Sequence, residues 1–491
     1  MILAIACVAQ FMVVLDVSIV NVALPSIGRD LHYSPTGLQW VVNAYVLTFA
    51  GFLLLGGRAA DLFGRRRVYM AGLGLFTLAS LVGGLAENST WLTAARAAQG
   101  FGGAMLSPAT LTIIVTTFTG AKTARALGIW SSVAGAGGAA GVLLGGVLTA
   151  EISWRWVLFV NLPIGIAALA VASMFLTESR RPAGAAPKLD ITGAILVTGG
   201  LGVLIYAIVG TDNHAWGSSQ TLTLLAVAVA VLAVFGVVEA RFASSPLVPF
   251  RLFRSRAVSG ANVVMFLIGA AFFSMWYFLS LYLQNVLGYG ALKAGLAFFP
   301  MGVAIIIGAQ TAARLIPRLG VRPLLQAGTL LTAVGFLGLS LIGAHSNYWV
   351  HVFIPGCIVS FAIGILFTPL ASAATSGVHF TEAGLASGVL NTSRQMGGSL
   401  GLALLATIAT ERSHSLLHKG VAPALTSGYA RAFEVATGVV LAAFIGSFVV
   451  PVIRAAHSTA TSTSTEESGV AKVAEALVDG EESALPTLDP A

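Results

Sequence analysis

Apolar stretches long enough to cross a lipid bilayer recur along almost the whole chain. A membrane-spanning helix needs about 20 predominantly apolar residues, and we count fourteen stretches of roughly that length. Because the hydrocarbon region offers no water to backbone polar groups, each stretch is predicted to be an α-helix. The predicted spans are residues 2–24, 37–57, 68–86, 91–115, 126–149, 156–177, 190–210, 221–240, 258–285, 294–313, 323–343, 350–373, 384–409 and 431–453.

The composition agrees with an all-α polytopic membrane protein. Of the 491 residues, 57% are hydrophobic and 9% are charged, whereas a soluble domain carries about 25% charged residues. The net charge of +7 does not indicate a nucleic-acid partner, because the basic residues lie in short loops between spans. The first span carries Asp16 and has no basic segment before it, so we expect a retained helix rather than a cleaved signal peptide.

The distribution of basic residues predicts the orientation in the membrane. With the N-terminus inside, the cytoplasmic loops hold most of the lysines and arginines, including Arg65–Arg67, Arg180, Arg181, Arg251 and Arg254. The outer loops and helix ends hold only Arg29, Arg155, Lys293, Arg412, Lys419 and Arg431. This bias predicts a multi-pass protein of the cytoplasmic membrane with both termini in the cytoplasm.

A run of charges and glycines, Gly57–Arg67, separates the second and third spans. A loop that only fixes topology would explain its arginines, but not Asp61 or the glycines. A degenerate copy, Ala313–Arg322, lies 256 positions later, with Pro317 where Asp61 stood. A second match at an offset of 260 positions aligns Gly128, Gly137, Gly138 and Gly141 with Gly388, Gly397, Gly398 and Gly401.

These two offsets predict two pseudo-symmetric six-helix bundles with two inserted central helices, an arrangement typical of transporters. We expect an N-terminal bundle at 1–180, the two extra helices with their linkers at 181–250 and a C-terminal bundle at 251–455. Residues 456–491 are rich in Ser, Thr and acidic residues and have no aromatic residue. They are predicted to form a disordered cytoplasmic tail.

Five motifs in order resemble those of the major facilitator superfamily, and within it the fourteen-helix drug:proton antiporter family. The resemblance covers about residues 10–455. The motifs are Leu15–Pro25, Gly57–Arg67, Arg96–Ala104, the glycine-rich stretch Gly137–Gly146, and Trp154–Gly165.

The resemblance implies roles for two of these motifs. Gly57, Asp61, Gly64, Arg65 and Arg66 would form a conformational gate, with Asp61 packed against the start of the thirteenth span near Gly384. Gly137, Gly141, Gly145 and Gly146 would form the antiporter-type glycine helix. Exporters of this family usually carry a proline beside the glycine matching Gly141, but this chain has Val142 there, so the usual kink is in doubt.

Asp16 and Arg96 are candidates for proton coupling. Asp16 is the only carboxylate deep within a predicted span, and such residues are costly in a bilayer and usually functional. Counting about 1.5 Å per residue from the helix ends places Asp16 and Arg96 at similar depth. We therefore hypothesise a pair that opens and closes with protonation or substrate. The alternative is a purely structural ion pair.

The substrate cavity is predicted from aromatic and polar residues at helical spacing. The candidates are Trp40, Asn43, Phe273, Trp276, Tyr277, Gln284 and Arg394. Aromatic walls with few polar groups suit bulky amphipathic ligands, although ordinary helix packing or an aromatic belt would give the same pattern. Arg394 has no obvious carboxylate in its half, so it either bonds to carbonyl groups or meets an anionic substrate.

The preferred function is export of a small amphipathic drug or antibiotic in exchange for protons. No P-loop, HExxH or CxxC motif is present, so ATP-driven pumping, metal binding and enzymatic activity are not predicted. The proton motive force would be the energy source, with no cofactor, and we expect a monomer. The alternatives are export of an endogenous metabolite, siderophore or lipid-like molecule, and a non-transporting membrane sensor or scaffold.

Overall fold

Long helices make up the part of the chain that the computed structural model describes, which is residues 1–118, 121–178, 189–212, 214–243, 246–376, 378 and 383–451. Fourteen long helices occur in these ranges, one for each predicted span. They are α1 Ile2–Asp30, α2 Trp40–Phe63, α3 Arg65–Gly84, α4 Ser89–Thr117, α5 Ala121–Glu151, α6 Trp156–Phe175, α7 Ile191–Val209, α8 Ser219–Phe242, α9 Arg256–Val286, α10 Ala291–Leu319, α11 Val321–Leu339, α12 Trp349–Thr375, α13 Ala383–Ser415 and α14 Val421–Ser447.

Thirteen of the helices in the described ranges are long and apolar enough to span a membrane. The other is α13, whose middle carries the polar run 391–395. Several predicted boundaries were wrong, including those of α1 and α14. Helix α1 continues through Pro25 to Asp30 instead of ending at residue 24, and α14 begins at Val421, ten residues before the predicted start at 431.

The helices pack as two related bundles. In the first, α1 lies along α5, and α4 lies along both α2 and α3. In the second, α9 lies along α13, and α12 lies along both α10 and α11. The predicted domain boundaries at 180/181 and 455/456, and the predicted disordered tail, lie outside the described residues.

The glycines of the repeat occupy equivalent places in the two bundles. A Cβ atom at Gly137 would lie 2.9 Å from the Phe11 carbonyl oxygen of α1, and one at Gly397 would overlap the Phe266 carbonyl of α9. The absent side chains therefore let the helix backbones touch, as small residues do in membrane bundles. The glycines that begin α3 and α11, Gly64 and Gly320, both have positive φ, at 103° and 82°, a conformation that favours glycine.

The inserted helices α7 and α8 form a hairpin that lies over one seam between the bundles. Helix α7 packs against both α2 and α13 through a shared apolar cluster that includes Leu47, Val197 and Ala403. The Thr407 hydroxyl of α13 donates a hydrogen bond to the Ile208 carbonyl of α7 at 3.3 Å. The linker after α8 is fixed to α2, because Arg58 donates a hydrogen bond to the Pro246 carbonyl. The hairpin thus contacts both bundles.

Candidate functional site

Asp16 lies inside the first bundle and is neutralised there by Arg96. The Arg96 Nη1 atom is 2.6 Å from Asp16 Oδ2, and the two side chains are 2% and 0% exposed. Asp16 Oδ1 accepts hydrogen bonds from Gln99 Nε2 at 2.7 Å and from Asn161 Nδ2 at 3.1 Å. The pair predicted from equal depth is therefore present, and the carboxylate is satisfied on both oxygens.

A second layer of contacts fixes the arginine and joins five helices. Arg96 Nε donates to the Val41 carbonyl of α2 at 3.0 Å, and its guanidinium lies 4.5 Å from the ring centre of Tyr45. On α3, the Ser80 hydroxyl accepts from Gln99 at 3.0 Å and from Asn161 at 2.9 Å. Helices α1, α2, α3, α4 and α6 all contribute side chains or carbonyl groups. A change in charge at Asp16 therefore alters contacts that join five of the six helices of the first bundle.

Sequence reasoning missed Gln99, Ser80 and Asn161 as functional candidates. All three are buried polar residues in otherwise apolar helices. Gln99 and Asn161 fall within the motifs Arg96–Ala104 and Trp154–Gly165, so a signal was present. Buried polar groups in a membrane helix need partners, and these three provide partners for the ion pair.

The Gly57–Arg67 segment, expected to be a loop, is helical on both sides of Gly64, at the end of α2 and the start of α3, and it contacts its own bundle. The Asp61 carboxylate is 3.6 Å from the Arg65 guanidinium, and Arg66 donates to the Ser173 carbonyl of α6 at 2.7 Å. A Cβ atom at Gly57 would lie 3.5 Å from Pro108, an ordinary van der Waals distance, and one at Gly64 would overlap the carboxylate of Glu178.

The predicted contact between Asp61 and the start of α13 stays a prediction. Residues 379–382, which precede that helix, lie outside the described residues. A Cβ atom at Gly384 would meet nothing within 4 Å.

The glycine helix α5 faces both its own bundle and the other one. A Cβ atom at Gly141 would lie 2.8 Å from the Leu15 carbonyl oxygen, and one at Gly145 would lie 2.7 Å from the Ile19 carbonyl oxygen, both on α1. A Cβ atom at Gly146 would lie 2.9 Å from the Ala291 carbonyl oxygen of α10. Helix α5 is one continuous helix from Ala121 to Glu151, so it forms without the proline that Val142 replaces.

The two bundles are joined near the C-terminal end of α1, which we call the Asp30 end; the opposite face is the Met1 end. The Ser280 hydroxyl of α9 donates to the Asn21 carbonyl of α1 at 2.5 Å, and Gln284 donates to the Val22 carbonyl at 2.9 Å. At the seam between α2 and α13, the Ser399 hydroxyl donates to Asn43 Oδ1 at 3.3 Å. A crevice of about 190 Å³ at the Met1 end is lined in part by Arg65 and Arg66.

This architecture matches a known family over most of its length. The family model of the Major Facilitator Superfamily matches residues 6–402. The chain belongs to the Major Facilitator Superfamily. The predicted family and fold are therefore confirmed.

Relatives within the superfamily include exporters and resistance proteins. The chain is 46% identical over 408 residues to a cephamycin export protein of Amycolatopsis lactamdurans, covering 83% of this chain and 84% of that protein. It is 40% identical over 443 residues to a puromycin resistance protein of Streptomyces alboniger, covering 88% and 87%. Among solved structures, a bacterial homologue of the human lysosomal transporter Spinster aligns with a TM-score of 0.66 at 14% identity, covering 91% of this chain and 96% of that one.

Five of the seven predicted cavity residues divide into three groups. Phe273 and Trp276 are half-buried on α9. Gln284 and Asn43 lie in the seams between the bundles. Trp40 packs on the apolar cluster formed by α2, α7 and α13.

Tyr277 does not share the face of α9 that carries Phe273 and Trp276, contrary to the prediction from the sequence pattern. It is 1% exposed, and its ring lies 5.3 Å from that of Phe278, which packs on Tyr429 and Phe433 of α14. Successive residues on an α-helix point about 100° apart. Tyr277 therefore points into the second bundle, away from its neighbour Trp276.

Arg394 lies on α13 next to an aromatic wall. Its Nη2 atom donates to Asn391 Oδ1 at 2.8 Å, and its guanidinium lies 5.6 Å from the ring centre of Phe367 on α12. The wall continues from Phe367 to Phe272 and from there to Trp276, with ring centres 6.3 and 6.2 Å apart. The structure thus places Arg394 and Trp276 at the same aromatic wall. The sequence pattern predicted only that both residues line one cavity.

Proposed function

We propose that this chain exports small amphipathic drugs or antibiotics across the cytoplasmic membrane in exchange for protons, by alternating access. The observation that carries the proposal is the buried Asp16–Arg96 pair in a Major Facilitator fold. The cephamycin export and puromycin resistance proteins support the substrate class. The transporter acts as a monomer with both termini in the cytoplasm, and the proton motive force is its only energy source.

Protonation of Asp16 is the proposed coupling step. A proton on the carboxyl group removes the negative charge that neutralises Arg96, and a cation without a counter-charge is unfavourable in a low-dielectric interior. The network then rearranges across the five helices that hold it. One proton moving down a potential of 100 mV supplies about 2.3 kcal/mol, enough to bias two states that differ by a similar free energy.

The bundle contacts fit one state of this cycle. The positive-inside distribution of arginines makes the Asp30 end the outer face. The hydrogen bonds from Ser280 and Gln284 to α1 close the seam at that end. Transport requires these two bonds to break while the bundles close at the Met1 end.

Dye efflux from energised cells tests the proposal. Cells that express the chain are loaded with the amphipathic fluorescent anion pyrenebutyrate, and efflux is followed by fluorescence with and without a protonophore. We expect faster efflux than in cells lacking the chain, and loss of that difference when the protonophore collapses the proton gradient. Expression-dependent efflux that persists at full rate without a proton gradient would contradict proton coupling.

Replacement of Asp61 by asparagine tests the proposed gate. We expect turnover to fall at least about fivefold, equivalent to about 1 kcal/mol in activation free energy, while substrate affinity stays unchanged. The reason is that Asp61 pairs with Arg65 between the end of α2 and the start of α3, and neither residue belongs to the predicted substrate cavity. Transport rate in proteoliposomes and dye binding in detergent give the two readouts.

Arg67→Gln is the matched control for Asp61→Asn. It removes a different ion pair of the Gly57–Arg67 segment, the one between Arg67 and Glu178. The Arg67 side chain is 68% exposed. Exposed pairs contribute about 0–1 kcal/mol, so this variant should transport at nearly the normal rate. Unchanged turnover in Asp61→Asn would show that the Gly57–Arg67 segment only fixes the topology of the chain in the membrane.

A further inference from the structure

Arg394 is a membrane-embedded cation whose charge is not neutralised by any described carboxylate. Its polar partner in the described ranges is the neutral side chain of Asn391. The described carboxylates of the second bundle are engaged elsewhere, since Glu434 pairs with Arg431 at 2.7 Å and Glu411 accepts a hydrogen bond from Trp216. Asp16, the deep carboxylate of the first bundle, is already paired with Arg96.

The surroundings of Arg394 combine this charge with a row of aromatic rings that meet edge to face. Phe367 and Phe272 lead from the guanidinium to Trp276, whose ring stacks on Phe298 of α10 with centres 5.0 Å apart. The Trp276 indole N–H is buried and has no hydrogen-bond acceptor among the described residues. Phe272, Trp276 and Arg394 keep partial exposure. The site therefore offers a cation, the unsatisfied indole donor of Trp276 and aromatic rings.

An amphipathic anion satisfies these groups together. A guanidinium presents a planar fork of donors that matches a carboxylate or sulfonate, and this match strengthens where water is excluded. The aromatic rings of the wall accept an apolar ring system by edge-to-face or offset contacts. An amphipathic cation would gain these ring contacts but would meet a like charge, which is unfavourable in the same low-dielectric setting.

We propose that Arg394 and the wall Phe367–Phe272–Trp276 form a substrate subsite that selects amphipathic anions, with the acidic group on Arg394 and the ring system on the wall. This inference rests on the proposed export function and specifies its substrate class. The subsite lies in the second bundle, whereas the proton-coupling pair lies in the first. Charge selection and proton coupling are therefore carried by separate residues and can be tested separately.

Three probes with one ring system isolate the charge. Pyrenebutyric acid, its methyl ester and pyrenebutylamine are titrated into the purified full-length protein in detergent, and binding is followed by fluorescence anisotropy. We expect the acid to bind at least about tenfold more tightly than the ester, and the amine to bind most weakly. Equal affinities for the acid and the ester in the unaltered protein would overturn the proposal, whatever the fate of any variant.

Arg394→Gln and Arg394→Lys identify the residue responsible. Arg394→Gln should lose about tenfold or more in affinity for the acid and change by less than twofold for the ester. Arg394→Lys should keep part of the preference, because it keeps the charge but not the fork. An equal loss for all three probes in Arg394→Gln would show a structural role and overturn the assignment.

Asp16→Asn separates this inference from the proposed function. If Arg394 selects charge, this variant keeps the preference for the acid even though it no longer couples to protons. Export that proves independent of the proton gradient would contradict the coupling proposal and leave the binding preference intact. Loss of the acid preference in Asp16→Asn, with the protein still folded, would contradict the separation of the two sites.

Discussion

Asp16→Asn is expected to reduce proton-driven export to the background of vesicles without the protein. Asparagine keeps the size of the side chain and one acceptor oxygen for the network, but it cannot exchange a proton near neutral pH. It also leaves Arg96, which is 2% exposed, without its counter-charge. The measurement is substrate uptake into proteoliposomes after a pH jump. Full export by this variant would exclude Asp16 as the coupling residue.

The loss of transport must be separated from loss of the fold. Removing one member of a buried ion pair costs about 3–5 kcal/mol because the other charge stays buried. Asp16→Asn/Arg96→Gln removes both charges, so it should recover much of the thermal stability that Asp16→Asn loses. It should still fail to couple export to protons. Recovery of transport together with stability would assign the pair a purely structural role.

Arg96→Lys examines the other member of the pair. Lysine keeps the charge but cannot reach Asp16, Gln99 and the Val41 carbonyl together, as the guanidinium does. We expect export to fall several-fold in the same pH-jump assay, because a point charge replaces a planar fork. Normal transport by Arg96→Lys would show that charge compensation alone is needed at this position.

Most of the helices were predictable because apolar length determines them. A bilayer permits few alternatives to a helix of about 20 apolar residues, which accounts for thirteen of the fourteen described helices; α13, with its polar run 391–395, is the exception. Helix ends were less certain, because charged residues near an end belong to the helix when they pair with each other. Arg431 and Glu434 do so at 2.7 Å, and they lie at the predicted start of the last span, whereas α14 already begins at Val421.

The sequence predicted the depth of the site residues in the membrane, but not the rotation of each helix about its own axis. Counting residues along two antiparallel helices placed Asp16 opposite Arg96, because depth depends only on rise per residue. Which face each helix turns inward depends on packing against its neighbours. For this reason the sequence could not separate Trp276 from Tyr277, or show that Trp40 meets α7. The position of the inserted hairpin over the seam between α2 and α13 is likewise a property of tertiary packing.

The contact between α5 and α10 leads to the second large expected effect. A Cβ atom at Gly295 of α10 would overlap the Val142 carbonyl oxygen of α5 and lie 3.4 Å from the Cα atom of Gly146. Both are backbone atoms of a continuous helix, so neither can turn aside as a side chain would. This contact joins the two bundles near the Asp30 end. A methyl group at Gly295 must therefore push the bundles apart there.

Gly295→Ala is expected to open the Asp30 end and slow transport. Overpacking of this kind costs about 1–3 kcal/mol, which shifts an equilibrium between two states by about 5- to 150-fold. The shift is measured as a longer distance between spin labels on Glu151 and Lys293, two exposed positions at the ends of α5 and α10, after replacement of Cys7 and Cys357. Transport in proteoliposomes should slow by a comparable factor.

Gly302→Ala on the same helix is the matched control. A Cβ atom there would lie 3.8 Å from Ala139 of α5, an ordinary van der Waals distance. The control adds the same methyl group to α10 and faces the same helix, so it should leave both the label distance and the transport rate close to normal. The comparison therefore isolates the close backbone contact from the general effect of replacing a glycine in α10. If Gly295→Ala behaves like Gly302→Ala in both measurements, the contact between α5 and α10 does not control closure. The hydrogen bonds between the bundles, from Ser280 and Gln284 to α1 and from Ser399 to Asn43, then hold the Asp30 end.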